Sequence, residues 1–370
     1  MKKLLVVSDP LAPPGFSPRV RFLCEYFVQK GYDVTLLTEE DKPLTFAHSY
    51  PIHAIPMYSG TTLDWLVKTV WTLVSDWHNR AFARKALTVI PNDFDAVICT
   101  VFSDFPLGAG LRIARKLHIP LVCDIRDLEE QVENSFYQYH HQSRWLMPFR
   151  HIYRVIHRYR RNNVLRAANA ITTVSPWHAD FIGSITRHRS PVTVIYNGYD
   201  DKQFYSQELR TEQFTVSYIG TLHDWQQPAL EKIRQVIEEL GQPDIVLDIH
   251  TPQQHPVPHD QMGDAVRRSS IVLVLTAPHT HGMLTTKFYE ALGCEKPILC
   301  VPSDKGSLAE LIDYTHAGIA TEDTEEIKAF ILDQYNTWKQ NGYTHQPTQH
   351  REEFSRAYQT QQLEQIIQWL

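Results

Sequence analysis

Glycine is scarce in this chain, 15 residues in 370, which leaves no room for a flexible glycine-rich linker. No stretch approaches the roughly 20 apolar residues of a membrane-spanning helix. The basic start, Met1-Lys2-Lys3, leads into only four apolar residues before Ser8-Asp9-Pro10, too short for the core of a secretory signal. The five cysteines are odd in number and show no CxxC spacing, which argues against a disulfide framework. Cys99 and Cys123 sit in apolar, strand-like runs, so buried reduced thiols and a cytoplasmic setting are expected. Basic charge is not in excess: 36 Lys and Arg stand against 42 Asp and Glu, net −6. A global nucleic-acid binder would be strongly basic, and no nucleic-acid partner is expected.

What is present is ordinary globular composition, 43% hydrophobic and 21% charged. The length suits two domains or one large one. Short apolar runs alternate with amphipathic stretches, the pattern of parallel α/β units. In the first half, strands are predicted at 4–7, 33–38, 96–100, 121–124, 171–174 and 192–196. Ser17 is placed to cap a helix with Pro18 at its first position, and Gly31 ends that helix. The alternation restarts near Phe214, with strands at 215–219, 245–249, 271–275 and 297–301. Helices are predicted at 109–117, 228–240, 285–292, 325–340 and 353–370. The polar stretch 200–213 is the best boundary. The expected domains are 1–208 and 209–350, with a C-terminal helix in 351–370 packing back on the first. The fold class is α/β, two Rossmann-like doubly wound domains facing each other across a cleft. In such sheets ligands bind beyond the carboxyl ends of the strands.

Several loops there carry chemistry. The loop from Asp9 to Arg19 joins a strand to a helix N-terminus, whose free amides suit an anion. Gly15 would let backbone approach a ligand, and Arg19 in the first helical turn favours an anionic partner. The loop lacks a GxGxxG pattern, so it reads equally as a turn without ligand. Asp124-Ile125-Arg126-Asp127 ends a strand. It reads as a hydroxyl-binding or acid/base group with Asp127 as candidate, or as an internal Arg–Asp pair. Gly220-Thr221-Leu222-His223 follows a strand in the second half. Lys287 lies near a helix start, one turn before Glu290. Lysine and helix amides together suit a diphosphate, and the glutamate suits two ribose hydroxyls. A plain Lys–Glu surface pair is the alternative. The loop 252–260 has His255 and His259 in HxxxH spacing, but Pro252, Pro256 and Pro258 exclude the helix that would align them. No metal site is expected.

Locally the charge balance reverses. Between 134 and 179 there is no acidic residue, and the run holds Arg144, Arg150, Arg154, Arg158, Arg160, Arg161 and Arg166. Arg150, Arg154, Arg158 and Arg161 recur at helical spacing, and so do Ile152, Val155, Ile156 and Tyr159. The arginines read as a dock for anionic lipid headgroups or an anionic acceptor, or as a helix face ion-paired to acidic neighbours.

The ordered set of motifs resembles retaining family 4 glycosyltransferases of the two-lobed GT-B fold, of the polysaccharide-building type. It comprises the Pro-Pro-Gly loop, "VCDIRD", "ANAITTVSPWHADFI", "VIYNGYDDKQF", "YIGTL", "TTKFYEALGCEKPIL" and "GSLAELI". The resemblance implies a nucleotide-activated donor, a UDP- or GDP-sugar, no cofactor and no bound metal. It implies a glycan or lipid-linked glycan acceptor in surface polysaccharide or lipopolysaccharide assembly, at the inner membrane face. Lys287 would contact the diphosphate and Glu290 the ribose. Gly15, with Phe16, would lie beside the donor phosphates, as would Gly220 and Thr221. Gly282, Met283 and Leu284 would contact the transferred sugar or its phosphate, and Asn197 would shape the hinge. Lys287 and Asp127 would be the catalytic groups. Arg19, Asp124, Arg126, Arg154 and Arg158 would serve acceptor or anion binding. Two features depart from the pattern. The first acid of the usual Glu-x7-Glu pair is Gly282 here. The segment 223–227, His-Asp-Trp-Gln-Gln, lacks the usual cation. A degenerate, non-catalytic sugar-nucleotide or glycan binder is the alternative.

Overall fold

Near-continuous runs of Leu, Val and Ile suit strands buried on both faces, as parallel sheets require. A computed structural model describes residues 2–9, 18–40, 47–58, 61–101, 105–131, 147–276 and 281–370. Twelve strands form among them, in two wholly parallel sheets. The first sheet comprises β1 (Lys3–Ser8), β2 (Asp33–Glu39), β3 (Ile52–Ile55), β4 (Ala96–Val101), β5 (Leu121–Ile125), β6 (Ala170–Thr173) and β7 (Val192–Val194). Their order is β3-β2-β1-β4-β5-β6-β7. The second comprises β8 (Phe214–Ile219), β9 (Ile245–His250), β10 (Ile271–Leu275), β11 (Ile298–Val301) and β12 (Gly318–Ala320), in the order β12-β11-β10-β8-β9.

The helices are α1 (Pro18–Gln29), α2 (Thr62–Ser75), α3 (Trp77–Val89), α4 (Leu107–Leu117), α5 (Met147–Leu165) and α6 (Pro176–Thr186), then α7 (Gln227–Leu240), α8 (Met262–Arg268), α9 (Thr286–Gly293), α10 (Ser307–Tyr314), α11 (Thr324–Asn341) and α12 (Arg356–Trp369). Their ends follow local rules. Ser175 caps α6 ahead of Pro176, Asp323 caps α11, and Gly241 and Gly342 end α7 and α11 in left-handed backbone.

The chain divides into two compact units. One takes the described residues of Met1–Glu130, Asn134–Ile195 and Thr360–Leu370; the other takes those of Gln131–Glu133 and Tyr196–Gln359. The division falls upstream of the boundary expected at 208. Tyr199, just before the polar stretch 200–213, and Phe204 within it are anchors buried in the core of the second unit. Along α12, Leu363 and Ile367 join Leu4, Val6, Val20 and Phe27 in the core of the first unit. The hydroxyls of Tyr26 and Tyr32 donate to Glu364 there.

Alternate residues of β1 enter opposite cores. Leu5 and Val7 face one cluster, Leu4 and Val6 the other. Both faces of the first sheet are therefore covered, and two clusters do the same for the second. All five cysteines are free and buried, and burial raises their thiol pKa values, that of Cys294 to about 12. β3, β12, α2, α3, α6, α8 and α10 add to the elements predicted from sequence. β3 and β12 are too short for period counting. α2 carries its apolar residues on an unusual face, described below.

Candidate active site

In the second unit, β8 ends in a loop held from inside. The buried Tyr218 hydroxyl donates to the Thr221 carbonyl (2.6 Å) and to Gln226 Oε1 (3.1 Å). The Gln226 side chain also accepts from His223 N and donates to the Leu275 carbonyl at the end of β10. Gly220 sits at φ +130° and its N–H donates to the His250 carbonyl. A side chain there would meet Lys287: a Cβ on Gly220 would lie 2.9 Å from Lys287 Nζ.

Lys287 stands in the first turn of α9. Thr285 caps that helix, its hydroxyl accepting from Lys287 N–H. The ammonium lies 4.9 Å from the Tyr218 ring centroid, within cation–π range. Among the described residues no carboxylate comes within ion-pair distance of it. Burial lowers its pKa, against the opposing pull of Glu290. Glu290, one turn further, is partly buried. Burial raises its pKa, with Lys287, Arg356 and a hydrogen bond from Thr286 opposing.

The segment leading into α9 places Gly282 in left-handed backbone at φ +61° and buries it together with Leu284; Met283 is partly exposed. The partly buried Asn197 precedes Gly198, whose φ is +64° and whose Cβ would strike the Phe354 carbonyl at 2.8 Å. The neighbouring Tyr199 N–H donates to that carbonyl, and Arg356 N–H donates to the Tyr199 carbonyl. Only glycine fits between these backbones. The second unit thus brings Gly220, Thr221, Lys287 and Glu290 to one place, with 282–284 adjoining α9.

In the first unit, Asp124 is fully buried at the end of β5. Its carboxylate accepts from Arg19 (2.8 and 3.2 Å), Thr100 (2.9 Å) and Thr172 (2.7 Å). Burial pushes its pKa up, but the Arg19 guanidinium and the hydroxyls outweigh this and hold it below the usual range. Arg19 also donates to the Ile195 carbonyl, and Arg126 pairs with Asp9. Both arginines are therefore engaged with this chain's own carboxylates. Asp127 is partly buried after β5. Arg154 and Arg158 pair with Glu129, and Arg161 with Glu130. These glutamates precede the acid-free run, so the arginine stripe of α5 is an ion-paired face. Gly15 and Phe16 lie outside the described residues. Among the described residues no group of three or more His, Cys, Asp or Glu could hold a metal ion.

The sequence model of Glycosyltransferase Family 4 matches residues 15–203, just over half of the chain. The chain belongs to this family. A search of curated proteins gives no match. Among solved structures, the family 4 chain is similar to sucrose-phosphate synthase from Thermosynechococcus elongatus, with TM-score 0.65 and 14% identity over 100% of this chain and 99% of that one. It is similar to Alr3699/HepE from Anabaena, solved with UDP and glucose, with TM-score 0.56 and 14% identity over 100% of both chains. It is also similar to WaaG, a glycosyltransferase involved in lipopolysaccharide biosynthesis, with TM-score 0.58 and 12% identity over 99% of both. These likenesses establish the GT-B fold.

Two residues of the candidate site were not singled out in the sequence. Tyr218 supplies the ring under Lys287, and Gln226 braces the loop above it. Both lie inside the stretches "YIGTL" and 223–227, but a strand tyrosine and a loop glutamine carry no periodic signal. The arrangement offers a half-buried cation, the free amides of a helix N-terminus and a carboxylate one turn away. Together these suit an anion that bears adjacent hydroxyls.

Proposed function

We propose that the protein is a retaining glycosyltransferase. It moves a sugar from a nucleoside-diphosphate donor to a glycan or lipid-linked glycan acceptor, in surface polysaccharide or lipopolysaccharide assembly on the cytoplasmic side of the membrane. The observation that carries this reading is Lys287, a half-buried ammonium at a helix N-terminus to which, among the described residues, no carboxylate is paired. A diphosphate there would restore the charge balance that burial disturbs. HepE, solved with UDP and glucose, supports a uridine donor as the first to try.

In this reading Lys287 and the first amides of α9 stabilise negative charge as the diphosphate departs, the electrostatic contribution that dominates many such reactions. Glu290 accepts from the ribose hydroxyls. Gly220 and Thr221 let backbone approach the phosphates, and 282–284 line the sugar. The acceptor hydroxyl attacks the face from which the diphosphate leaves, and a departing phosphate oxygen takes its proton. Asp127 orients the acceptor. No metal or cofactor is required.

A second reading, a non-catalytic sugar-nucleotide binder, is favoured by Gly282 standing where the family's first acid is usual. A melting and calorimetric screen of UDP, GDP, ADP and their sugar conjugates separates the two when followed by product analysis with acceptor extracts. A ligand bound only by the folded state raises the melting temperature. A shift with one nucleotide, lost in Lys287→Ala and accompanied by sugar transfer, supports the first reading. A shift without transfer supports the second. No shift with any nucleotide at millimolar concentration overturns both.

A further inference from the structure

Helices α2 and α5 of the first unit are turned inside out. In α2, Leu63, Val67, Val70, Trp71 and Val74 are 72%, 47%, 60%, 56% and 73% exposed. At 100° per residue these five fall within one arc of about 100°. The adjoining flank carries Asp64, Lys68 and Thr72, and it turns inward. Lys68 pairs with Asp64 and donates to the Met57 carbonyl, and Thr72 is buried. α5 repeats the inversion. Ile152, Val155 and Tyr159 are 51%, 52% and 67% exposed. Arg154, Arg158 and Arg161 turn to Glu129 and Glu130 and are only 23%, 27% and 4% exposed. The two helices touch: Arg160 of α5 donates to the Thr72 and Leu73 carbonyls at the end of α2 (2.6 and 2.7 Å).

A helix of a water-soluble domain buries its apolar stripe. Two adjacent helices that expose theirs form a patch of the kind that marks an interaction surface. The local charge decides what covers it. Arg154, Arg158, Arg160 and Arg161 of α5 are taken up by Asp76, Glu129 and Glu130, but on the adjoining α3 and α4 Arg80, Arg84, Lys85, Arg115 and Lys116 are exposed, and neither helix carries an acidic residue. This stands in a chain of net charge −6. Beside the contact of α2 and α5, a cavity of about 300 Å³ is lined by Arg112, Arg160 and Arg161, which pair with Asp76 and Glu130, and by the exposed Arg115. A second copy would set these exposed cations against their own kind. An anionic, apolar partner is attracted on both counts. Trp71 and Tyr159 at the exposed edge are the side chains that favour a headgroup boundary. Among the described residues no helix is long and apolar enough to cross a membrane.

We propose that the apolar faces of α2 and α5 dock on the surface of an anionic lipid bilayer, with Leu63, Val67, Val70, Trp71 and Val74 entering the headgroup–acyl boundary. This assigns the contact to apolar residues that the charge pattern did not single out, rather than to the α5 arginine stripe. The inference deepens the setting given under the proposed function, but its test needs neither donor nor acceptor. A failure of transfer and a failure of docking are therefore read separately.

The test is flotation of the full chain with vesicles of equimolar phosphatidylglycerol and phosphatidylcholine, and with phosphatidylcholine alone. The anionic vesicles should bind the protein and the neutral ones should bind it far less. Val70→Asp with Val74→Asp should weaken anionic-vesicle binding about tenfold or more, with the melting temperature unchanged because both positions face solvent. Arg115→Glu should reduce the preference for anionic over neutral vesicles. Brominated acyl chains should quench part of the wild-type tryptophan emission, and Trp71→Phe should abolish that part. No flotation of the folded wild-type chain overturns the proposal, as does flotation unaffected by the two aspartates. A concentration-dependent dimer abolished by those aspartates, without vesicle binding, would assign the face to a second copy instead.

Discussion

Lys287 Nζ fills the space that a Cβ on Gly220 would need, 2.9 Å from it. The glycine is required twice over, because its φ of +130° is also one that L side chains rarely adopt. Gly220→Ala should therefore push the ammonium aside and strain the loop. The expected outcome is a loss of about 1 kcal/mol or more in stability and a clear drop in nucleotide affinity. Denaturant melts and calorimetry read the two effects. An unchanged nucleotide affinity would separate Lys287 from donor binding.

Lys287→Met should have opposite effects on the empty and the liganded protein. Burial lowers the lysine pKa in the fold, so the native state binds fewer protons than the unfolded chain above that lowered value. Stability therefore rises as pH climbs from the native pKa toward 10.5. The methionine variant should be at least as stable as the parent at neutral pH, with the difference closing toward pH 10. It should lose the nucleotide-induced rise in melting temperature. Melting curves across pH, with and without UDP, test both parts.

Arg19 and Asp124 form a buried pair, the carboxylate fully shielded and the guanidinium side chain 10% exposed. Removing one partner strands a buried charge. Arg19→Ala should cost about 3–5 kcal/mol, and Asp124→Asn in that background should recover part of it. The Asp124 pKa is lowered in the fold, so its contribution is present above about pH 4 and is lost on acidification. Arg19→Ala should move acid unfolding to higher pH. A double-mutant cycle by urea unfolding measures the coupling, and additive losses would contradict it.

His178 is 1% exposed, and burial lowers its pKa to about 4. Burial and Arg160 likewise lower His157 to about 4. Each must be protonated in the unfolded chain before it is in the fold. Stability is therefore lost as pH falls from about 6.5 to 4, by up to about 3 kcal/mol for His178. His178→Gln should flatten this limb of the stability curve. A limb as steep in the variant as in the parent would assign the acid sensitivity elsewhere.

Much of the α/β pattern was legible because buried parallel strands are written as short apolar runs. Residues 4–7, 96–100 and 271–275 need only local composition to be recognised, and Gly31 and Gly241 end their helices by backbone chemistry that neighbours supply. The placement of Glu290 one turn after Lys287 was likewise readable, since helical geometry sets it. Gly15 and Phe16, expected beside the donor, lie outside the described residues. The strand β12 was not legible, being three residues long and stabilised by its register against Ile298, Leu299 and Cys300.

The sequence by itself determined the α/β alternation, the family motifs and the placement of a lysine at a helix start. All of these depend on residues within one or two turns of each other. Only the tertiary structure decided that Tyr218 and Gly220 flank that lysine, because β8 and α9 are distant in the chain. It also decided which stripe of α5 faces inward. Arg154, Arg158 and Arg161 share a helical period with Ile152, Val155 and Tyr159, so periodicity identifies both stripes and orients neither. Glu129 and Glu130, lying beyond the acid-free run, turn the arginines toward the protein and leave the apolar stripe outside.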